Sequence, residues 1–289
     1  MSGEQPQLVI HVGYPRAGSQ YIQKRLLRPL SDTGLINFSM GSGFALRAKK
    51  DCVLDKTFWN SNGNPRVLSQ EKFSCEMFGG TYAQHRLMVH ELARQVPGAK
   101  ILLVVRNQQE WCDSLYRYAV DKYEFRSPSA FFKRHQLIGE TLRYDLTIES
   151  FGECFAEIKV LPFELLRNNQ KEFNRQVFDY IGSDSFECET GAPGLGGIGY
   201  DWIPLFRLTN PFIRLVRVSR LLSDPHYLVS LRKQFLVKRN LWNRSRQKEK
   251  HQEEIYEATN QWLPLWKISN KRLTRLVDWS PEKLGYPVL

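Results

Sequence analysis

Apolar residues in the first two thirds of the chain fall into short unbroken runs, separated by longer stretches with helical spacing. The run Leu8–Val12 (LVIHV) has four apolar positions around one histidine and ends at Gly13. It predicts a short buried strand that runs into a turn. From Ser19 to about Leu30, Tyr21, Ile22, Leu26 and Leu27 share one side of a helix. The run RVLSQEKF (66–73) predicts a second strand ending near Ser69. A helix is expected from about Tyr82 to Gln95, where Pro97-Gly98 stops it. AKILLVV (99–105) is the plainest buried strand, and Arg106 stands at its C-terminal end. Residues 107–123 read as helix, with Trp111, Leu115, Tyr118 and Ala119 at helical spacing; a helix pair follows over about 128–155. The strand EIKVLPF (157–163) and further helices to Ile181 complete the series.

This alternation of strand and helix predicts an α/β fold, an open and mostly parallel sheet flanked by helices. Such sheets bind ligands at the carboxyl ends of their strands. Gly13, Ser69 and Arg106 all stand at such ends. Past Gly182 the pattern changes. GAPGLGGIGY (Gly191–Tyr200) is a glycine-rich loop, and helices rich in Leu, Phe and Arg follow. Next comes the basic stretch RKQFLVKRNLWNRSRQKEK (Arg232–Lys250), then a long helix from about Glu253 that Pro264 is expected to kink. The expected organisation is one domain over 1–289: an α/β core in 1–183, with 184–289 as an α-helical cover on it.

Composition narrows the partners. A chain of 289 residues can bury a substantial core, and 42% hydrophobic with 25% charged residues is ordinary for a globular protein. A net charge of +11 and a pI near 9.4 are not ordinary. They favour polyanionic partners: nucleotides, nucleic acid, anionic sugars or anionic lipid surfaces. The opening MSGEQPQ is polar, and the apolar run after it is too short for a signal peptide. No stretch reaches the roughly 18 apolar residues of a membrane span. The five cysteines are odd in number and show no CxxC spacing. Reduced thiols in a cytoplasmic protein are expected, with neither a disulfide framework nor a zinc site.

The chemistry concentrates in GYPRAGSQY (13–21). A strand, a glycine turn and a helix start in succession form an anion site, where free backbone amides and the helix dipole converge. Gly13 and Gly18 have the G-x-x-x-x-G spacing of a Walker A loop, but Ser19 and Gln20 stand where Lys and Ser/Thr belong. The best strand ends in Arg106, not in the aspartate a magnesium ion would need. One cation does lie in the loop, Arg16. A group with a single negative charge, such as sulfuryl, could be moved with that cation and no metal.

Here the sequence resembles a known family. GYPRAGSQY looks like the 5′-phosphosulfate loop of the sulfotransferases, usually Tyr-Pro-Lys-Ala/Thr-Gly-Thr/Ser. RNQQEWCDSLYRY resembles their 3′-phosphate motif, an arginine at a strand end and a serine eight residues later: Arg106 and Ser114. The ending NKRLTRLVDWSPEKLGYPVL resembles the Gly-Tyr-Pro tail of bacterial members. The resemblance spans about Leu8 to Ser183 and the tail. It implies a P-loop-like fold, 3′-phosphoadenosine 5′-phosphosulfate (PAPS) as co-substrate, 3′,5′-adenosine bisphosphate (PAP) as product, and metal-free transfer. It assigns the phosphosulfate to the amides of Ala17, Gly18, Ser19 and Gln20 with the Ser19 hydroxyl, and the 3′-phosphate to Arg106 and Ser114. Arg16 takes the family's lysine position; it keeps the positive charge but cannot give up its proton. Residues 191–200 match the family's lid segment in position, but the Asn-x-Ser of many bacterial members is missing.

The acceptor needs a base. Glu71 follows the strand end at Ser69 by two residues, and the segment resembles the Ser-x-Glu stretch of members that use a carboxylate. His11, expected to be a packed structural residue, and His85 and His90 are its rivals. The expected partners are a nucleotide co-substrate and a hydroxyl, or an amine, on a carbohydrate, glycolipid or small molecule. Contact with an anionic membrane is compatible with the charge, and no DNA- or RNA-reading motif is present. Two other classes remain open: a nucleotide or nucleoside kinase on a variant P-loop, and a non-catalytic basic module for nucleic acid or anionic membrane.

Overall fold

The computed structural model describes residues 7–40, 64–74, 78–183, 199–219 and 244–288. Its centre is a parallel five-stranded sheet: β1 (Leu8–His11), β2 (Asn37–Met40), β3 (Arg66–Ser69), β4 (Lys100–Val105) and β5 (Ile158–Pro162), in the order β2-β3-β1-β4-β5. The registers pair Leu8 with Arg66, Ile10 with Ile101, and Leu103 with Val160. The inner strands β1 and β3 are buried along their whole length, and β4 at all but its first residue. Helices cover both faces of such a sheet, so its inner strands read as unbroken apolar runs. The predicted α/β class and the four predicted strands are present. β2 was not expected: it is a half-exposed edge strand of sequence NFSM, with too few apolar positions to stand out.

The order of the strands decides where a ligand can go. From β1 the chain moves to β2 and β3 on one side, then crosses to β4 and β5 on the other. The switch point therefore lies between β1 and β4, and a crevice forms where connections leave neighbouring strands in opposite directions. The loop after β1 and Arg106 after β4 flank that point.

Local signals explain several element ends. The helix after β1 starts at Ser19 and continues as Ser19–Tyr21, a π-helical stretch Ile22–Leu27, and Arg28–Asp32. The predicted helix Tyr82–Gln95 begins with a capping box: Gln84 N donates to Thr81 Oγ1 at 3.2 Å, and Thr81 N donates to Gln84 Oε1 at 3.0 Å. The expected pair over 128–155 is instead three short helices, Pro128–Arg134, Ile138–Thr141 and Tyr144–Gly152. The expected kink near Pro264 is a 3-10 turn, Asn260–Trp262, between helices Arg244–Thr259 and Leu263–Leu273.

Contacts group the chain into two units. The first comprises 1–108, 136–194 and 262–289; the second comprises 109–135 and 195–261. The first holds the sheet. The tail is fixed to it by polar bonds: Asn107 Nδ2 donates to the Gly285 carbonyl at 2.5 Å, and Asn270 Nδ2 donates to that of Pro287 at 2.8 Å. The described part of the second unit is helical. Within it Asn210 Nδ2 donates to the carbonyls of Val120 and Glu124, and the buried His251 ring lies 5.4 Å from that of Tyr116. No helix among the described residues is long and apolar enough to cross a membrane. Most of the glycine loop 191–200 and of the basic stretch 232–250 lies outside the described residues.

Candidate functional site

The loop after β1 is an extension of the sheet that turns back on itself. Val12 N donates to Leu102 O at 2.9 Å and Tyr14 N to Val104 O at 3.1 Å, so pairing with β4 continues past the end of β1. Tyr14 then anchors the loop from below. Its ring is fully buried, its hydroxyl donates to the Thr141 carbonyl at 3.1 Å, and it shares a 2.7 Å hydrogen bond with Thr147 Oγ1. A loop held in this way has little conformational freedom left to lose on binding.

Two backbone positions give the loop its shape. Gly18 has φ +92°, and a Cβ there would meet Phe163 at 3.0 Å and Leu166 at 3.2 Å. Handedness and close approach both demand glycine. Arg16 adopts φ +69° despite its side chain. This left-handed conformation is uncommon outside glycine, asparagine and aspartate and is concentrated at functional sites. Its brace is Arg106, whose Nη1 donates to the Arg16 carbonyl at 3.0 Å while its guanidinium lies 4.6 Å from the centre of the Phe163 ring.

The amides expected to cradle an anion divide. Ala17 N donates to the Tyr14 carbonyl at 3.0 Å and so closes the loop's own turn. Gly18, Ser19 and Gln20 stand at the head of the helix, where the first N–H groups have no intrahelical acceptor. The Ser19 side chain is buried, whereas Gln20 is exposed.

Glu71 joins this group from β3. After Ser69 the chain enters a 3-10 turn, Glu71–Phe73, whose flanking residues are tied to the end of β1 and to the loop after it. Gln70 N donates to the His11 carbonyl at 3.0 Å, and Ser74 Oγ donates to the Gly13 carbonyl at 3.1 Å. Burial raises the Glu71 pKa above the usual carboxylate value, while the charge of Arg16 and the Ser19 hydroxyl pull it back. Carboxylate, cation and hydroxyl thus share one electrostatic neighbourhood, although Glu71 lies far along the chain from Arg16 and Ser19.

The histidines are arranged differently. His11 is wholly buried beneath the loop, where desolvation lowers its pKa to about 3. His85 packs edge-on against Phe151 at 5.5 Å, and burial lowers its pKa to about 4. His90 is exposed beside Glu153 and Cys154.

Arg106 is held by bonds that sequence reading missed. Tyr144 Oη donates to the Arg106 carbonyl at 2.5 Å. The next amide, Asn107 N, donates to Glu164 Oε1 at 2.9 Å, and Glu164 Oε2 accepts from Tyr286 Oη at 2.9 Å. Glu164 is only 1% exposed. A lone glutamate after a strand gives no sign that a tail tyrosine will reach it. Ser114 belongs to the second unit, on the helix Gln108–Asp121, where it is buried. Its assignment rests on the motif alone.

Comparison with known proteins adds one finding. No family model matches the chain, and no curated protein does. Among solved structures the chain is similar to a sulfotransferase from Alicyclobacillus acidocaldarius, at 15% identity over 72% of this chain and 93% of that one, with a TM-score of 0.48. The likeness is one of architecture alone.

Proposed function

We propose that the protein is a PAPS-dependent sulfotransferase that transfers a sulfuryl group to a hydroxyl, or an amine, of a carbohydrate, glycolipid or small molecule. The observation that carries this reading is the meeting of Glu71, Arg16 and Ser19 at the head of a phosphate-type loop that lacks the Walker lysine. A carboxylate with a raised pKa is a base for an acceptor proton. An arginine beside it is a clamp for the charge that develops on a leaving phosphate oxygen. A phosphoryl-transfer site would instead use the missing lysine and a magnesium-binding aspartate.

In this reading the amides of Gly18, Ser19 and Gln20, with the Ser19 hydroxyl, hold the 5′-phosphosulfate. Ala17 shapes the turn that presents them. Arg106 holds the 3′-phosphate, with Ser114 added by the motif. The acceptor oxygen attacks sulfur in line, the bond from sulfur to the bridging oxygen breaks, and PAP leaves carrying that electron pair. Glu71 takes the acceptor proton, and Arg16 offsets the charge gained by the phosphate. A reducing cytoplasm suits the two described cysteines, Cys112 and Cys154, which are free thiols.

Calorimetry tests the donor class without knowledge of the acceptor. PAP is expected to bind with EDTA present and to raise the melting temperature. At 10 µM PAP the gain is about 1.4 kcal/mol for a Kd of about 1 µM. Stabilisation by ATP with magnesium, and none by PAP, would turn the assignment to a kinase.

A further inference from the structure

Two buried polar atoms beneath the loop face one gap. His11 Nδ1 lies 2.7 Å from Ser69 Oγ on the neighbouring strand, and the same oxygen accepts a hydrogen bond from Gln23 Nε2 at 3.0 Å. The other ring nitrogen, Nε2, is buried with no hydrogen-bond partner; Ser19 Oγ is buried with none of good geometry, though it lies close enough to Glu71 to favour that carboxylate's charge. A Cβ added to Gly13 would stand 2.8 Å from His11 Nε2 and 2.5 Å from Ser19 Oγ. The absent side chain of Gly13 therefore leaves the space that the imidazole and the hydroxyl share.

The partners of His11 favour one tautomer. The Gln23 amide occupies one lone pair of Ser69 Oγ, and the Ser69 hydroxyl proton is satisfied when His11 Nδ1 accepts it. An accepting Nδ1 leaves the ring proton on Nε2. Burial keeps the ring neutral, so it offers a donor without adding charge.

We propose that His11 is a positioning residue for Ser19. Its Nε2–H faces the Ser19 hydroxyl across the gap at Gly13 and closes on a lone pair of that oxygen when an anion engages the hydroxyl proton at the helix head. Without ligand that proton serves Glu71; with ligand it serves the anionic 5′-group. This step rests on the function proposed above and adds to it a residue that sequence reading treats as packing. Gln23 and Ser69 act at one remove by favouring this tautomer of the ring.

Paired substitutions separate this role from simple packing. Asparagine at position 11 reproduces Nδ1 and its contact with Ser69; glutamine carries an amide nitrogen near the Nε2 position. His11→Asn is expected to weaken PAP binding in calorimetry about tenfold, the scale of one hydrogen bond to a charged group. His11→Gln should return the affinity to within about threefold of wild type, since it keeps the donor. In a Ser19→Ala background His11→Asn should add less than about twofold, because its effect runs through Ser19. Nitrogen-15 NMR of the ligand-free protein should show the Nε2–H tautomer, without titration between about pH 5 and 8.

An Nδ1–H tautomer, equal losses in the two His11 variants, or a full tenfold loss persisting in Ser19→Ala would each overturn the proposal. If His11→Asn does not fold, His11→Gln and the tautomer decide. If wild type binds no PAP, the sulfotransferase assignment falls and the tautomer alone judges the orientation of His11.

Discussion

Glu71→Gln tests the chemistry and the electrostatics of the site together. The substitution keeps the side chain's shape and removes its basicity. A positioned general base supplies about 10²–10⁴-fold, so turnover at saturating PAPS should fall by at least about a hundredfold, or about 2.7 kcal/mol of barrier. PAP affinity should move by less than about 1 kcal/mol, because the carboxylate is a neighbour of the anion and not its ligand. Stability should move the other way. Burial raises the Glu71 pKa, outweighing the opposing effects of Arg16 and Ser19. A raised folded-state pKa means that the unfolded chain releases this proton first. The contribution of Glu71 to stability is therefore complete below its ordinary pKa and is lost as the pH rises through the folded value. Wild type and Glu71→Gln should accordingly match in acid, and the variant should gain in relative stability toward neutral pH. The kcat/KM of wild type should rise with pH through the same raised pKa, and the variant should lose that limb. The assays are sulfate transfer from labelled PAPS and urea unfolding across pH. Near-normal turnover in Glu71→Gln, or a stability difference independent of pH, would refute the reasoning.

Other substitutions probe the frame around that carboxylate. Arg106→Ala should weaken PAP binding by about 2–5 kcal/mol, as for a truncated buried charge contact, while slowing transfer from saturating donor far less; unchanged PAP affinity by calorimetry would remove Arg106 from the site. Gly18→Ala must hold an alanine at φ +92° against Phe163 and Leu166. It should cost about 1–3 kcal/mol in urea unfolding, and an unshifted midpoint would show that the loop relaxes.

The sheet was legible because its inner strands are buried on both faces and read as apolar runs, LVIHV and KILLVV above all. β2 escaped because Asn37 and Ser39 share an edge strand of four residues with only two apolar positions. The loop was legible because its turn chemistry is local: Gly13, Arg16, Gly18 and Ser19 sit within seven positions. Ala17 was read as a ligand amide because sequence cannot say which N–H groups a turn consumes. The hydrogen bonds of the packed His11 were not legible because its partners, Ser69 and Gln23, come from a neighbouring strand and a helix. Glu164 and Tyr286 were invisible for the same reason, being 122 positions apart. The division of contacts follows the fold and not the chain order: 109–135 groups with the later helices, and 262–289 with the sheet.

The tail clip also sets an order of assembly. Asn107 waits for the Gly285 carbonyl, 178 positions later in the chain. At synthesis rates of about 5–20 residues per second, the strand end that carries Arg106 stays unclasped for roughly 10–40 s while translation continues. During that interval the buried carboxylate of Glu164 lacks the hydroxyl of Tyr286. A nascent chain stalled short of Gly285 would keep most of the sheet yet leave the end of β4 without its clasp, so this strand end takes its final form only after Gly285 has been made.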